Sequence, residues 1–225
     1  MIRLNNVSKN YDKIKVLRQI NLHIKPGEFV SIVGQSGAGK TTLVRILIGE
    51  ERVKEGQVLI GDWDITKLSK REVPYLRRQI GVIFQDFKLL PKKTLEENVS
   101  FALEVSGGTP GKIKKIVPSV LKIVGLEDKK NRYPDEVSGG EKQRAAIARS
   151  LVHQPKILLA DEPTGNLDAI NADEIINWLL RINKFGTTVI LVTHNKEIVN
   201  RLNKRVITME HGQIINDQER GKYLL

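Results

Sequence analysis

The sequence of 225 residues contains no cysteine, which excludes a disulfide framework, a thiolate metal site and a catalytic thiol. It also lacks any apolar run near the roughly 18 to 20 residues that a membrane helix needs. Residues 157–160 and 189–192 are typical of its apolar stretches. The first residues lack the apolar core of a signal peptide. We therefore expect any membrane role to be peripheral.

Acidic residues are comparatively few, since 37 Lys and Arg stand against 26 Asp and Glu, for a net charge of +11. Such a charge attracts nucleic acid, an anionic membrane surface or anionic small ligands, and composition alone does not choose among them. A hydrophobic share of 40% and a charged share of 28% are ordinary for a globular protein. The length allows one large domain, or one domain with a subdomain.

Short strands alternate with helices at both ends of the chain, a pattern that predicts a parallel α/β sheet. The middle is more basic and predicted to be helical. We expect a single domain over residues 1–225, with an α/β core at 1–87 and 152–225 split by a helical insert at 88–151. The predicted strands are 4–7, 20–24, 29–33, 58–60, 80–84, 157–160, 187–192, 205–209 and 213–215, and the predicted core helices are 41–48, 172–183 and 196–202.

A glycine-rich segment between a predicted strand and a predicted helix matches the pattern G-x-x-x-x-G-K-[ST]. It reads Gly34-Gln35-Ser36-Gly37-Ala38-Gly39-Lys40-Thr41. Its backbone N–H groups form an anion site at a helix N-terminus, where Lys40 reaches the β- and γ-phosphates of a nucleotide. Thr41 is expected to ligate Mg²⁺ and Thr42 to touch the α-phosphate. The alternative is a chance glycine-rich turn.

Two acids, Asp161 and Glu162, end the apolar strand 157–160. Beside a phosphate-binding loop, Asp161 is expected to hold the Mg²⁺ shell, and Glu162 to act as general base for the attacking water. The alternative is a strand that ends in a solvated turn, since Pro163-Thr164-Gly165 follows.

A second anion site is predicted where Ser138-Gly139-Gly140-Glu141 opens a helix, because Ser138 can cap the helix and the glycines expose its first N–H groups. The same tripeptide occurs at Ser106-Gly107-Gly108. There Thr109-Pro110-Gly111 follows, and we predict a loop over 106–111 instead of a long helix.

With these motifs in this order, the chain resembles the ABC-transporter ATPases over essentially all of its length. The resemblance implies a P-loop NTPase core with a mostly parallel sheet, an antiparallel β subdomain and a helical insert subdomain. It also implies an ATP-dependent homodimer, because the family's signature, here Ser138 to Glu141, completes the ATP site of the other subunit.

Further site residues follow from the same resemblance, residue by residue. Tyr11 matches the aromatic that stacks on adenine, although an ordinary strand-edge tyrosine is the alternative. Gln85 matches the glutamine that touches Mg²⁺ and water, and His194 matches the histidine that contacts the γ-phosphate. Asp168 ends the loop that crosses the dimer interface. Val137 and the pair Glu141-Lys142 depart from the common leucine and paired glutamines, but neither change removes a phosphate donor.

Within that family the chain is similar to the bacterial cell-division ATPases, through residues 84–94 and Glu97-Asn98-Val99. This resemblance implies control of peptidoglycan hydrolysis through an FtsX-like integral membrane partner, at the cytoplasmic face of the inner membrane. We expect the partner to dock near Phe87 to Lys93, with an exposed basic loop as the alternative. ATPases for lipoprotein release, or for macrolide or amino-acid transport, are the alternative families.

Three other interpretations stay open. The basic excess could favour an anionic inner leaflet. Nucleic-acid binding is disfavoured, because the interval from Lys40 to Asp161 is too short for the long coiled coil of DNA-repair ATPases. A regulator that binds ATP without hydrolysis is disfavoured by Glu162 and His194.

Overall fold

The computed structural model describes residues 1–223. Its strands are β1 (Ile2–Tyr11), β2 (Ile14–Ile24), β3 (Phe29–Val33), β4 (Glu55–Ile60), β5 (Trp63–Asp64), β6 (Ile80–Phe84), β7 (Ile157–Asp161), β8 (Thr188–Val192), β9 (Arg205–Glu210) and β10 (Gln213–Gln218). Its α-helices are α1 (Lys40–Leu47), α2 (Val73–Arg77), α3 (Leu95–Val105), α4 (Pro110–Ile123), α5 (Gly139–Leu151), α6 (Ala169–Lys184) and α7 (Lys196–Leu202).

The central sheet has six strands in the order β10-β9-β3-β8-β7-β6. Pairing is parallel from β9 to β6, and β10 is the antiparallel edge strand. Strands β3 and β8 are buried along their whole length, as expected where helices or a second sheet cover both faces. The predicted α/β sheet is therefore confirmed.

A second sheet, β2-β1-β4-β5, is antiparallel throughout. Ile2 lies opposite Ile24 on one side and Ile60 on the other, which places three buried apolar side chains in one row. This is the antiparallel β subdomain that the family resemblance implied.

Alternate residues of the central strands face two separate cores. Ile157 and Leu159 join α1 and the antiparallel sheet in one cluster, whereas Leu158 and Ala160 join helices α3 to α6 in the other. This alternation is the two-residue period of a strand. The helical insert thus packs against the opposite face of the central sheet from the antiparallel sheet.

The loop predicted over 106–111 is shorter than expected, and a long helix does follow it. Helix α4 begins at Pro110 and runs to Ile123, so only residues 106–109 connect it to α3. Proline is well tolerated in the first turn of a helix, because that turn has no intrahelical partner for its N–H groups. Ser106 is the C-cap of α3, and its Oγ donates 2.7 Å to the carbonyl oxygen of Ala102, so it does not cap a helix N-terminus as Ser138 does.

No helix within residues 1–223 combines the length and the apolar character needed to cross a membrane.

Candidate functional site

The phosphate-binding loop connects β3 to α1, and its shape depends on glycine. Gly34 has φ +150°, and a Cβ there would lie 2.2 Å from the carbonyl oxygen of Met209. Gly39 has φ +98°, and a Cβ there would lie 2.7 Å from Cδ2 of Leu17. Both positions combine a left-handed backbone with a close neighbour, so a side chain at either would distort the loop.

Lys40 follows this loop and is only 9% exposed. Its Nζ donates to the carbonyl oxygens of Gly34, at 2.7 Å, and Gln35, at 3.0 Å. Burial lowers the pKa of its ammonium, while Glu162 and Asp161 act in the opposite direction. A buried cation held by its own loop is suited to bind an anion there.

A cleft of about 730 Å³ opens in front of the loop. Its lining brings together most of the residues predicted from separate motifs. These are Gln35, Ser36, Gly37, Gly39, Lys40, Thr41, Thr42, Gln85, Asp161, Glu162 and His194. Gly34 and Ala38 belong to the same loop and lie behind this lining.

Asp161 is the last residue of β7 and lines the cleft. Burial, and then the neighbouring charge of Glu162, raise the pKa of its carboxyl to about 6, against the smaller opposing effects of Lys40 and Arg45. Its negative charge is therefore under-compensated. A divalent cation would supply the missing positive charge.

Side chains with oxygen ligands of the kind that Mg²⁺ prefers line the same cleft as Asp161. The Thr41 hydroxyl and the Gln85 amide line the same cleft. A second cavity of about 550 Å³ shares Thr41, Gln85, Asp161 and Glu162 with it and extends to Lys88. The residues present therefore fit a magnesium ion.

Glu162 and His194 form a contact pair at the cleft. Oε1 of Glu162 lies 2.7 Å from Nδ1 of His194, and its Oε2 accepts a hydrogen bond of 3.2 Å from Oγ1 of Thr193. Glu162 has φ +48°, a left-handed conformation that is uncommon for a residue with a side chain. Such strain concentrates at functional sites.

Gln85 follows β6 and contacts the loop that comes after Glu162. Asn166 Nδ2 donates 2.9 Å to the Gln85 carbonyl oxygen, and Gln85 Nε2 lies 3.5 Å from Asn166 Oδ1. Asp168 ends the same loop as the N-cap of α6, where its carboxylate accepts from the Asn171 N–H at 2.9 Å. Asp168 is exposed and does not line the cleft.

The signature residues lie on the insert and not in this chain's own cleft. Ser138 caps α5 and accepts from the Glu141 N–H at 3.3 Å, and Glu141 accepts in return from the Ser138 N–H at 2.8 Å. That bond and Lys129, 3.0 Å away, lower the pKa of Glu141 to about 2. Gly139 and Gly140 form the first turn behind Ser138. None of these four signature residues lines the cleft described above.

Tyr11 also lies away from the cleft lining. It ends β1, and Lys9 Nζ lies 4.9 Å from the centroid of its ring. Its assignment to adenine stacking stays a prediction. Val16, on β2, lines the cleft instead, and no sequence signal distinguishes this valine from other strand residues.

Two further cleft residues, Lys196 and Tyr223, were missed from the sequence. Lys196 follows His194 closely and could have been noticed by that proximity alone. Tyr223 belongs to no motif, and only the fold brings it to the site.

Comparison with known proteins places these features in a family. The family model for "ABC transporter" matches residues 17–165, which include the phosphate-binding loop, the signature and the acids Asp161 and Glu162.

Whole-length similarity extends beyond that model. The chain is 51% identical to the cell division ATP-binding protein FtsE of Bacillus subtilis, over 99% of this chain and 98% of that protein. It is 44% identical to the methionine import ATP-binding protein MetN of Clostridioides difficile, over 96% of this chain and 67% of that protein. A solved dimeric ATP-binding cassette in a post-hydrolysis state with ADP and Pi superposes with a TM-score of 0.89, at 35% identity, over 99% of this chain and 100% of that one.

Proposed function

Because this chain belongs to the ABC transporter family, we propose that it is the ATP-hydrolysing subunit of a cell-division membrane complex of the FtsEX kind. It is an ATPase, which converts ATP and water to ADP and phosphate. The observation that carries the chemistry is the single cleft that holds Lys40, Asp161, Glu162 and His194. The observation that favours cell division is the 51% identity to a curated FtsE over nearly the full length of both proteins.

Hydrolysis needs a group that takes a proton from the attacking water. Glu162 is suited to this role, since its carboxylate stands at the end of β7 beside Asp161 and is held by Thr193 and His194. Lys40 and the N–H groups of residues 34–39 hold the β- and γ-phosphates. His194 is exposed enough to contact the γ-phosphate while it orients Glu162.

Magnesium belongs to this proposal. Thr41, Gln85 and Asp161 would hold it, and when bound it neutralises charge on the phosphates. Binding of the ion would also offset the charge repulsion and burial that raise the pKa of Asp161.

The second half of the site is proposed to come from a second copy of the chain. Ser138 and Glu141 bind each other's N–H groups in a capping box, and Gly139 and Gly140 supply the other N–H groups of the first turn of α5, away from their own cleft. Asp168 is exposed on the loop expected to cross that interface. Two chains would close on two nucleotides, and loss of the γ-phosphate would remove the charge that bridges them.

Docking of the membrane partner is proposed at residues 87–93. Buried Asn98 shapes this segment, since its Oδ1 accepts from the Leu90 N–H at 2.7 Å and its Nδ2 donates to Lys93 O at 3.0 Å. The segment presents Lys88, Pro91 and Lys92 to the exterior. It follows Gln85 directly, so a partner bound there contacts the chain next to the nucleotide cleft.

The subunit would then act as a peripheral protein at the cytoplasmic face of the inner membrane, with anionic lipid as a secondary contact. Its cycle would control peptidoglycan hydrolysis through the FtsX-like partner. The similarity to MetN keeps an importer subunit as the second candidate.

The membrane proposal is tested by purifying the tagged full-length chain from its native membranes in mild detergent and identifying what accompanies it. A small integral protein with a large external domain is the expected result. A many-spanning permease with a solute-binding protein would replace the proposal with an importer subunit. Recovery with neither would return the soluble, nucleic-acid-binding class to consideration, and salt-dependent DNA binding would then be measured.

A charge-reversal pair localises the docking surface. Lys92→Glu should reduce recovery of the membrane protein while ATP binding is retained. Lys114→Glu makes the same charge change on the exposed surface of α4 and should leave recovery unchanged. Equal losses from both variants would contradict docking at residues 87–93 and indicate only a general charge effect.

A further inference from the structure

The last described residues of the chain return to the nucleotide cleft. The Gly221 N–H donates 3.2 Å to Lys204 O, and the Tyr223 N–H donates 2.7 Å to Oδ1 of Asn200. Tyr223 is 5% exposed and packs in an apolar cluster with Val33, Val199 and Val206. The segment from 221 to 223 is therefore held against the body of the protein, between α7 and the central sheet.

The side chain of Tyr223 lies under a cation that belongs to the same cleft. Nζ of Lys196 is 5.5 Å from the centroid of the Tyr223 ring, and both residues line the cleft with Lys40, Glu162 and His194. An ammonium over an aromatic face is attracted by the negative face of the ring. Burial, and then the charge of Glu162, raise the pKa of the Tyr223 phenol, which is consistent with a ring beside the catalytic carboxylate.

Lys196 forms no ion pair with any carboxylate of residues 1–223. Most exposed lysines have a solvated, mobile ammonium, but this one lies over a ring that is packed against Val33, Val199 and Val206. The ammonium of Lys196 is thus held in a cleft proposed to bind phosphate. Its expected ligands are the negatively charged oxygens of a nucleotide polyphosphate.

We propose that Lys196 is a further phosphate-binding residue of the nucleotide cleft and that Tyr223 is its positioning residue. This inference rests on the proposed ATP-binding function of the cleft. It makes Tyr223, and not the exposed Lys222 before it, part of the nucleotide site. The aromatic ring of Tyr223, and not its hydroxyl, positions Lys196, because the ammonium lies over the face of the ring.

The test is a titration of the full-length protein with a fluorescent ATP analogue, mant-ATP, in the presence of magnesium. Lys196→Met should weaken binding by about threefold to tenfold, as expected for one partly exposed charge on a polyphosphate. Tyr223→Leu should weaken it to a similar degree, whereas Tyr223→Phe keeps the ring and should bind as the unmodified protein does. The double variant Lys196→Met with Tyr223→Leu should bind no more weakly than Lys196→Met alone, because the two residues act as one unit.

Lys222→Met is the matched control, since it removes the same charge from an exposed position in the same segment. It should leave mant-ATP binding unchanged. If Lys222→Met weakens binding as much as Lys196→Met does, the inference is overturned, and the positive charge of the segment acts only as a general electrostatic attraction. Thermal melts show whether Tyr223→Leu is folded. If Tyr223→Leu is unfolded, the test relies on Lys196→Met, which changes an exposed side chain. Unchanged affinity in Lys196→Met, or loss in Tyr223→Phe, would overturn the proposal.

Lys40→Ala separates this inference from the function on which it rests. It should abolish mant-ATP binding. If Lys40→Ala loses mant-ATP binding and Lys196→Met binds normally, only the role of Lys196 is refuted. Retained binding in Lys40→Ala refutes the proposed nucleotide site itself.

Discussion

Oε1 of Glu162 and Nδ1 of His194 lie 2.7 Å apart although 32 residues separate them in the chain. The sheet accounts for this proximity. Strands β7 and β8 are parallel neighbours, and Asp161 is in register with Val192. The residues that follow each strand therefore emerge side by side at the same edge, as is general for ligand sites at the carboxyl ends of parallel strands.

Glu162→Gln should stop hydrolysis while ATP still binds, because the amide keeps the shape of the carboxylate but cannot accept a proton. We expect hydrolysis to fall by at least about a hundredfold, which is the lower end for loss of a general base. With the γ-phosphate retained, the two chains should stay closed. Light scattering at saturating ATP should give the mass of a dimer.

Glu197→Gln provides the control, since Glu197 is an exposed acid on α7. It should hydrolyse ATP normally. A Glu162→Gln protein that stays monomeric at saturating ATP would refute the shared site, and one that hydrolyses at the normal rate would refute the general-base role.

Asp161→Asn should stabilise the protein at neutral pH when nucleotide and divalent metal are absent. The folded pKa of Asp161, about 6, lies above its ordinary value of 3.8, so the native state binds protons more tightly than the unfolded chain. The carboxylate therefore opposes folding above pH 6, and this penalty disappears as the pH falls below the ordinary value. Thermal melts should show a higher Tm for the variant at pH 7.5, with a smaller gain at pH 4.5.

Asp168→Asn is the control for the direction of this change in Tm, because the pKa of Asp168 is shifted the opposite way. Hydrogen bonds from Asn171 lower the pKa of Asp168, so its carboxylate favours folding above its ordinary pKa and loses this contribution as the pH falls. No gain in Tm is expected at pH 7.5. A lower Tm for Asp161→Asn at pH 7.5 would show that its carboxylate contributes a net favourable contact.

The elements predicted most accurately are those with a regular apolar pattern, either a continuous apolar strand or an amphipathic helix. The predicted bounds 29–33, 80–84 and 196–202 match β3, β6 and α7. By contrast, β1 extends over Ile2–Tyr11 although only 4–7 was predicted. Residues 8–11 pair with β2 and β4 through backbone bonds while their side chains are partly exposed, so no apolar pattern marks them. Ile2, at the other end, is buried and was missed although it alternates with Leu4.

The site residues also fall into two groups, those that the sequence reveals and those that only the fold reveals. Motifs located the phosphate-binding loop, the acids Asp161 and Glu162 and the signature, because those functions need particular residue types in adjacent positions. Lys196 and Tyr223 come together only through the packing of the C-terminal segment. Arg149, on α5, donates to a backbone carbonyl oxygen, a group that every residue possesses. Contacts of this kind leave no pattern in the sequence.

Ser138→Ala should cost about 1 kcal/mol of stability, the usual effect of removing an N-cap hydroxyl. It should also slow ATP turnover, because the hydroxyl is proposed to face the nucleotide of the other subunit. Ser106→Ala changes the same tripeptide at the end of α3, where no helix N-terminus is capped, and should have little effect on either quantity. Urea unfolding and steady-state hydrolysis give both values, and equal behaviour of the two variants would contradict the assignment of the signature.

Arg149→Met should release the segment that follows Gln85. Arg149 lies on α5, where burial lowers the pKa of its guanidinium, and it donates to two carbonyl oxygens of the docking segment. The bond from Nη2 to Phe87 O is 2.7 Å, and Nη1 binds Lys88 O. Phe87 and Lys88 have φ +59° and +50°, a strained pair that these bonds hold in place.

Because the variant leaves two carbonyls without these donors, the free energy of unfolding should fall by about 1 to 3 kcal/mol. Amide hydrogen exchange over residues 86–93 should accelerate, and in the membrane complex the partner should affect hydrolysis less. Arg201→Met removes an exposed ion pair with Asp173 and should cost at most about 1 kcal/mol, with no change in that exchange. If Arg149→Met lowers stability but leaves the exchange of residues 86–93 unchanged, Arg149 only packs the insert and does not connect the signature helix to the docking segment.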